Sequence, residues 1–493
     1  MDRRRRAYGW IGFALALGVL GGVPVLGGCT TNPATGGQDF TPFMTPAQES
    51  QIGAEAHPKI LKAYGGAYND VALGAYVAGV TARIAKNSDQ PGIPYTVTVL
   101  DTPVVNAFAL PGGYVYVTRG LLALANDEAE LAGVIGHEIG HVAARHSAQR
   151  QSAAIGTSIL STILGAAIGS SSAAQALNLG GQGLLASYTR EQEYEADMLG
   201  VRYLARAGYD GFAQGDFLIS LAAESDLQAR LTNRQGAAQA DWLSSHPATA
   251  DRVAAARAHA VKVGAAPGGG ERNAAAYYRA IDGMIYGDSP AAGFIRDRTF
   301  LHPEQRFAFR VPASFRLVNS PSAVWAQGPD KTIVKFDGAK KAAGRDIAAY
   351  LVEDWGGKVG LDGVERLSVN GMPAATATTR LQNMTARLVA VEFTPEQVYR
   401  FLIGTPPDVG QRYDAALRDM VMSFRRLSVR EAREAKPLRV RVVTVRRGDT
   451  AATLAERMAF ADHRTERFRV LNGLQLGAGA ELASGQTVKI VSE

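Results

Sequence analysis

Cysteine is almost absent from this chain, and long uninterrupted apolar runs are few. Cys29 is the only cysteine among 493 residues, so no disulfide can form within the chain. At this length two to four domains are expected, and their cores can be stable without disulfides even in an oxidising compartment. Hydrophobic residues make up 46% of the chain and charged residues 20%, which indicates folded domains rather than an extensively disordered or polytopic membrane protein.

A large excess of charge of one sign is also lacking. The formal net charge is +6, and residues 1–28 contribute three of these charges, which leaves +3 for the rest of the chain. So weak a basic character does not indicate a nucleic acid partner, and we expect none.

The N-terminus has the pattern of a secretion signal, and residues 1–28 are predicted to be a lipoprotein signal peptide. Arginines at positions 3–6 precede an uncharged stretch, residues 10–26, that is too short and too interrupted for a bilayer span. Its end, LGGC at 26–29, resembles the lipobox of bacterial lipoproteins. That resemblance implies acylation of Cys29 and, because Thr30 is not aspartate, a periplasmic protein anchored to the outer membrane of a Gram-negative bacterium. An incidental thiol in an uncleaved anchor is the alternative.

Composition and periodicity divide the rest of the chain into units of an α+β fold. The sequence TPAQ at 45–48 has a capping box and a proline at the first helical position, which predicts a helix start. Near residue 293 the sequence pattern changes to the strand-like alternation of apolar and polar residues, with recurring proline and glycine. The predicted units are a tether at 29–44, a mainly helical domain with a small β-sheet at 45–290, a small antiparallel α+β domain at 291–428, a basic linker at 429–437 and a βααβ module at 438–493.

Helical periodicity is clear in residues 127–150 and 190–207, and strand alternation in residues 95–100 and 114–118. Residues 151–189 carry no charge and are rich in alanine, glycine and serine. We predict two small-residue helices there, and a hairpin that dips into a membrane is the alternative.

The sequence HEIGH, residues 137–141, lies within the first of these predicted helices. Residues four apart lie on one helix face, with Cβ atoms roughly 5–6 Å apart, so His137 and His141 can direct both imidazoles at one ion. Glu138 lies about 100° further round the helix, beside the ion without binding it. Zinc hydrolysis needs such a base, three protein ligands and an open fourth position. The motif therefore predicts one Zn2+ per chain with Glu138 as the catalytic base.

A surface helix with two incidental histidines fits this segment less well. Gly133, Gly136 and Gly140 flank the pair, and each costs about 1 kcal/mol of helix stability relative to alanine. Such a helix must be held by tertiary packing, with the glycines permitting close approach of another element. Burying two histidines and a glutamate on a helix costs free energy unless a partner compensates for it, and a bound metal ion would be such a partner. His146 is the poorer ligand candidate, because its spacing from the pair points it to other faces.

The third ligand is expected on a different element. Glu193, within TREQEYEAD at 189–197, is the candidate, and Asp197 lies one helical turn further on the same face. An aspartate so placed accepts the outer N–H of a ligating imidazole, which fixes its tautomer and raises its basicity. Glu191 could be the third ligand only if the helix were shifted by half a turn. For any one of these acids, the alternative is an ordinary solvent-exposed charge on a helix.

HEIGH followed about fifty residues later by this acidic sequence resembles the gluzincin peptidases: the HtpX heat-shock proteases, the CAAX prenyl proteases and soluble periplasmic lipoprotein relatives. The resemblance covers approximately residues 32–286 and includes NPATG, NAFALPGG and SHP. In that family the glutamate of an ExxAD-type motif binds zinc, which implies Glu193 as a ligand and Asp197 behind it. The lack of clear membrane spans groups the chain with the lipoproteins, so residues 45–290 are predicted to be a zinc metalloprotease domain.

His246 precedes a proline and is therefore expected to project from a turn rather than from inside a helix. It is predicted to act in catalysis, either by stabilising the oxyanion or as a fourth zinc ligand that holds the enzyme inactive. A cap of the following helix is the structural alternative.

Residues 106–118 end in a strand that is expected to present a free edge to an extended peptide. An ordinary hairpin is the alternative, and the two are not exclusive.

The C-terminal sequences resemble two further families. Residues 291–428 are similar to small PsbP/Mog1-type α+β domains. Residues 438–493 contain RGDT, LNGL and GQTVKI and resemble a LysM repeat. LysM modules bind N-acetylglucosamine polymers, so peptidoglycan is a candidate partner.

The sequence as a whole predicts a zinc metalloendopeptidase whose polypeptide substrates are misfolded or mislocalised envelope proteins. The competing function is a chaperone-like outer-membrane assembly or peptidoglycan-binding factor with a latent protease site. A peptidoglycan hydrolase is disfavoured because the metal motif resembles those of proteases.

Overall fold

The computed structural model describes residues 29–41, 44–152, 188–231, 246, 250–357, 359–381, 383–474 and 482–493. The predicted signal peptide lies outside these residues, as does nearly all of the uncharged segment 151–189 with its two predicted helices. Within the described ranges, no helix has both the length and the apolarity needed to cross a membrane.

Several helices of the first unit begin at a side chain that accepts a hydrogen bond from a free N–H group of the first turn. Thr45 and Thr189 close capping boxes, and the Asp127 side chain caps the helix that carries HEIGH. That helix ends at Ala143, before the predicted end, because Arg145 adopts a left-handed φ of 55° and turns the chain. The helices are α1 (Pro46–Ala63), α2 (Val71–Lys86), α3 (Arg119–Leu124), α4 (Glu128–Ala143), α5 (Arg190–Arg206), α6 (Ala213–Leu231), α7 (Ala250–Lys262) and α8 (Ala274–Ile281).

The segment predicted as a tether is folded over residues 29–41. β1 (Cys29–Thr31) and β2 (Gln38–Phe40) pair as an antiparallel hairpin. Asn32 closes its turn, since the side-chain oxygen accepts hydrogen bonds from the N–H groups of Ala34 and Thr35. The polar, turn-rich composition is compatible with a flexible tether and with a tight turn. The turn forms here with contacts to the helical unit, where Asn32 donates to Glu195 and Arg202 donates to the carbonyl of Ala34.

A three-stranded sheet accompanies the helices. Its strands are β3 (Thr96–Leu100), β4 (Ala107–Leu110) and β5 (Tyr114–Thr118), in the order β3-β5-β4. β5 pairs in parallel with β3 and antiparallel with β4, so both of its edges are occupied. The predicted free edge at 114–118 is therefore wrong. β4, which contacts α4, is the edge strand of the described sheet on that side.

The next unit is rich in antiparallel sheet, as predicted. The short strand β6 (Ile285–Tyr286) lies at the end of the helical unit. The strands of the β-rich unit are β7 (Phe294–Arg296), β8 (Thr299–His302), β9 (Phe307–Arg310), β10 (Arg316–Ser320), β11 (Ala323–Gln327), β12 (Ile333–Lys340), β13 (Asp362–Val369), β14 (Met372–Leu381), β15 (Met384–Thr394), β16 (Gln397–Thr405) and β17 (Arg425–Arg426). Its helices are α9 (Ile347–Ala349), which continues as a π-helix over Tyr350–Trp355, and α10 (Gly410–Met422). A seven-stranded sheet has the order β10-β11-β12-β16-β15-β14-β13, and a four-stranded sheet has the order β17-β9-β8-β7. Buried phenylalanines, among them Phe307, Phe336 and Phe401, form the core.

The C-terminal residues follow the strand–helix–helix–strand order that the sequence predicts. The basic linker contains a short helix, α11 (Val429–Glu434). After it come β18 (Leu438–Thr444), α12 (Ala451–Ala455), α13 (Arg464–Leu471) and β19 (Thr487–Ser492), and β18 pairs antiparallel with β19. The resemblance to LysM stays a prediction.

This C-terminal module is packed against the helical unit. β18 also pairs with β6, and Val440 and Val470 belong to the same apolar core as the helices. The buried ammonium group of Lys489 donates to the carbonyls of residues 123–125 at 2.8, 3.1 and 2.6 Å. A cation at these carbonyls satisfies the C-terminus of α3, so the module and the helical unit share polar as well as apolar contacts.

Candidate metal centre

The two helices that carry most of the predicted site residues pack at close range. A Cβ on Gly136 would lie 3.2 Å from the Cα of Gly200, and a Cβ on Gly140 would lie 3.1 Å from the carbonyl oxygen of Ala196. Larger side chains at these positions would hold α4 and α5 further apart. The glycines therefore permit close approach of another element, as predicted, and bring the histidines of α4 within reach of the acids of α5.

Gly200→Ala tests this contact. The new Cβ would lie 2.9 Å from the main-chain nitrogen of His137, which cannot move without displacing α4. Such overpacking costs about 1–3 kcal/mol and exceeds the gain of up to about 1 kcal/mol in helix propensity, so we expect lower stability and weaker zinc binding. Gly79→Ala on α2 is the control, because nothing lies within 4 Å of its Cβ position, and it should raise stability. Thermal unfolding with and without zinc measures both, and a stabilised Gly200→Ala protein would contradict the close packing.

His137 and His141 face one space, one helical turn apart. Their Nε2 atoms are 3.0 Å apart, and both residues are buried. The outer nitrogens have other partners: Nδ1 of His137 lies 2.9 Å from Oδ1 of Asp197, and Nδ1 of His141 lies 2.8 Å from Nδ1 of His146. The inner nitrogens are therefore left to face each other.

Glu193 and His246 complete a cluster around these two nitrogens. Oε1 of Glu193 lies 3.5 Å from Nε2 of His141, and Oε2 lies 3.6 Å from Nε2 of His137. Nδ1 of His246 lies 2.8 Å from Oε1 of Glu193 and 3.2 Å from Nε2 of His137. The structure thus brings together one ligand atom from each of four buried residues, all within 4.8 Å of one another.

These four atoms fit a tetrahedral cation. Zinc–ligand bonds of about 2.0–2.2 Å place the ligand atoms of a tetrahedral zinc roughly 3.3–3.6 Å apart. Five of the separations in the cluster, measured to either oxygen of Glu193, are 2.8 to 3.6 Å, and all four ligand atoms lie within 4.8 Å of one another. Oε2 of Glu193 is buried without a hydrogen bond, although Nη1 of Arg252 lies 2.8 Å away in an unaligned ion pair. A buried carboxylate oxygen that accepts no hydrogen bond, close to the ring nitrogens of two histidines, fits a bound Zn2+.

Asp197 contacts the outer nitrogen of His137 and has three side-chain hydrogen bonds of its own. Nε and Nη2 of Arg252 donate to its oxygens at 2.7 and 2.8 Å, and Nε2 of Gln214 donates at 2.8 Å. Burial raises the pKa of Asp197, but the hydrogen bonds from Arg252 and His137 outweigh it and hold the pKa below its usual range. An ionised carboxylate only accepts, so Nδ1 of His137 carries the hydrogen and Nε2 offers its lone pair to the cluster.

The pKa shifts of the other cluster residues suit a metal site. Burial holds the pKa of His141 well below its usual range, so the ring is neutral. Burial raises the pKa of Glu193, but hydrogen bonds to His141 and His246 lower it by more, and the carboxyl is ionised. Burial lowers the pKa of His137, but the hydrogen bond and charge of Asp197 outweigh it, so the net shift is upward. A proton therefore competes with a metal ion at that ring.

Glu138 borders the cluster without belonging to it. The side chain is buried, and its Oε1 lies 3.7 Å from Nε2 of His246. A carboxylate beside a set of side chains that could hold a metal ion, but outside that set, has the position of a general base. The arrangement can therefore carry out metal-assisted hydrolysis.

Two further residues at this centre escape local sequence analysis, and a third makes a contact that its spacing does not indicate. Arg252, on α7, pairs with both Asp197 and Glu193, and the need of buried acids for a cation is the only signal that points to it. Tyr188 stacks on the His141 ring with the centroids 3.8 Å apart. His146 stays out of the cluster, as its spacing predicts, but it contacts His141 from behind.

Residues 72–260 match the family model described as Peptidase family M48. This region is similar to the metallopeptidases of family M48. It contains all four clustered residues and Glu138, and M48 peptidases use zinc. The individual roles assigned to these residues stay predictions.

Two curated relatives of this M48 region illustrate the similarity. The beta-barrel assembly-enhancing protease of Escherichia coli (strain K12) is 31% identical over 220 residues, which are 43% of this chain and 43% of that protein. The mitochondrial metalloendopeptidase OMA1 of Schizosaccharomyces pombe is 29% identical over 218 residues, which are 42% of this chain and 59% of that protein. The chain thus spans about half the length of these relatives. The closer resemblance to HtpX and CAAX proteases stays a prediction.

A cyanobacterial PsbP from Synechocystis sp. PCC 6803 aligns with 26% of this chain and 91% of its own length, at 13% identity and a TM-score of 0.21. A TM-score of this size does not establish a common fold. The resemblance of residues 291–428 to PsbP-type domains stays a prediction.

Proposed function

We propose that the chain is a zinc-dependent metalloendopeptidase. The observation that carries the proposal is the convergence of His137, His141 and Glu193 on one space inside the M48 region, with Glu138 at its border. A buried group of acceptors next to the buried carboxylate of Glu138 has an evident use in hydrolysis and none in packing.

Each side chain has a defined task in this mechanism. When bound, Zn2+ polarises the scissile carbonyl and lowers the pKa of the attacking water. His137, His141 and Glu193 would hold the ion, and Asp197 keeps the hydrogen of His137 on Nδ1. Glu138 takes the proton of the water and later donates it to the leaving amine. An extended substrate would pair along the edge strand β4, which contacts the helix that carries the histidines.

His246 is proposed to hold the site closed in the conformation seen here. Its Nδ1 lies among the ligand atoms, and a fourth protein ligand leaves no open position for water. His246→Ala separates the two predicted roles. Cleavage should rise if His246 is a blocking ligand, and should fall by about 10²–10³-fold if it stabilises the oxyanion.

The proposed location is the periplasm, with an acyl anchor on Cys29 in the outer membrane. The signal-like composition of residues 1–28 and the LGGC sequence at 26–29 support it. The proposed substrates are misfolded or mislocalised envelope proteins. The name of one relative, a beta-barrel assembly-enhancing protease, agrees with a role in outer-membrane quality control.

Cleavage of an unfolded protein tests the proposed activity. Zinc-loaded full chain and its His246→Ala variant are incubated with unfolded casein, with and without a chelator. We expect cleavage that the chelator abolishes and added zinc restores. Cleavage that a chelator does not affect would contradict the proposal, as would the absence of cleavage by both metal-loaded proteins.

The second candidate is a chaperone-like outer-membrane assembly or peptidoglycan-binding factor with a latent protease site. The presence of His246 in the cluster and the LysM-like sequences of residues 438–493 favour it. Co-sedimentation with purified peptidoglycan measures the binding. A Glu138→Gln protein that still supported envelope integrity in cells would favour this function over proteolysis.

A further inference from the structure

A line of polar side chains connects the N-terminal hairpin to the back of the metal centre. Nδ2 of Asn32 donates to Oε1 of Glu195 at 3.1 Å, and Oε2 of Glu195 lies 3.4 Å from Nε2 of His146. Nδ1 of His146 lies 2.8 Å from Nδ1 of His141. Asn32 is 2% exposed and His146 is fully buried, so solvent has little access to either residue.

The direction of each polar contact in this line follows from the chemistry of its ends, although Nε2 of His146 makes no hydrogen bond and faces Glu195 only as an ion-pair contact at 3.4 Å. His141 can offer the Nε2 lone pair to an ion only if Nδ1 carries the hydrogen. Nδ1 of His146 must then accept that hydrogen, which places the hydrogen of His146 on Nε2, opposite Glu195. An ionised glutamate only accepts, so it suits the N–H of His146 on one oxygen and the amide of Asn32 on the other.

We propose that Asn32, Glu195 and His146 form a positioning chain that holds His141 in its metal-binding tautomer and orientation. This positioning chain would fix the tautomer and orientation of the His141 ring, as Asp197 does for the His137 ring. It rests on the proposed zinc site, and it makes residues of the N-terminal hairpin part of the support of the metal centre. None of the three touches substrate or metal, so they are positioning residues.

Three separate segments meet to build the chain. The left-handed turn at Arg145 returns the polypeptide after α4 and directs His146 toward His141. The Arg145 side chain donates to the carboxylate of Glu49 and to the carbonyl of Met44, which fastens that turn to the start of α1. Asn32 is fixed by the hairpin turn that its own side chain closes.

The zinc affinity of full-chain variants, measured by competition with a chelator of known affinity, tests the chain. Asn32→Asp keeps the oxygen that closes the hairpin turn but replaces the donor to Glu195 with an acceptor. Glu195→Gln is isosteric but has a single acceptor oxygen, so its NH2 group must face either the amide of Asn32 or the N–H of His146. We expect both to weaken zinc binding by about 10–100-fold and to shift the visible spectrum of the cobalt-substituted protein. Gln38→Ala, an exposed change in the same hairpin, should alter neither.

The outcomes separate this inference from the proposed function. A loss of zinc affinity of about fivefold or more in either folded variant, with an unchanged Gln38→Ala control, supports the positioning chain. Wild-type affinity and an unaltered cobalt spectrum in both variants would overturn it, even if the enzyme cleaves casein. If the wild-type protein binds zinc and the variants lose affinity as expected, but no protein cleaves casein, the peptidase proposal is rejected and the positioning chain is still supported.

Discussion

Glu138→Gln is expected to lower kcat/KM for peptide cleavage by about 10²–10⁴-fold while leaving zinc binding intact. The amide has the shape of the carboxylate but cannot take a proton from water. Because Glu138 borders the ligand cluster and is not one of its members, its loss should affect the chemical step and not the ion. Initial rates on a fluorogenic peptide, measured beside the zinc content of the same samples, test both parts.

Glu191→Gln is the matched control for this experiment. Glu191 is an exposed residue of α5, two positions before Glu193, and it should tolerate the same change with activity retained. A Glu138→Gln protein with wild-type rates would remove Glu138 from the mechanism. Loss of zinc from the Glu191→Gln protein would instead indicate that Glu191 is the third ligand.

Arg252→Met is expected to lower the free energy of unfolding of the zinc-loaded protein by about 3–5 kcal/mol. Arg252 is 3% exposed and pairs with Asp197 at 2.7 Å and with Glu193 at 2.8 Å. Its removal leaves Asp197 buried without a cation, and a displaced Asp197 no longer orients His137. Urea unfolding at saturating zinc measures the stability, and chelator competition measures the accompanying loss of affinity.

Arg257→Met on the same helix shows what an exposed pair contributes. Arg257 is about half exposed and pairs with Asp216 at 3.2 Å, so the same substitution should cost under about 1 kcal/mol. Equal stability losses in the two variants would mean that burial of the ion pair at the metal centre has no special effect.

Local signals predicted much of the fold near the site. The capping residues Thr45, Asp127 and Thr189 mark the starts of three helices, because capping depends on residues only a few positions apart. The spacing of His137 and His141 likewise predicts that their rings share a helix face, which the structure shows.

Features that depend on distant contacts could not be predicted in this way. Arg252 is one of 52 lysines and arginines, and nothing near it in the sequence links it to Asp197. The turn that directs His146 toward His141 rests on a left-handed Arg145, a conformation that a non-glycine residue does not signal. The edge at residues 114–118 was wrongly predicted because the pairing of β5 with β3 joins strands that are not consecutive in the chain.

The metal content of the purified full chain is the most direct test of the proposed zinc centre. After zinc loading and removal of weakly bound metal, elemental analysis should find one zinc ion per wild-type chain and far less in the Glu193→Ala protein. Wild-type protein without stoichiometric zinc, or a Glu193→Ala protein that retains all of it, would contradict a site built from His137, His141 and Glu193.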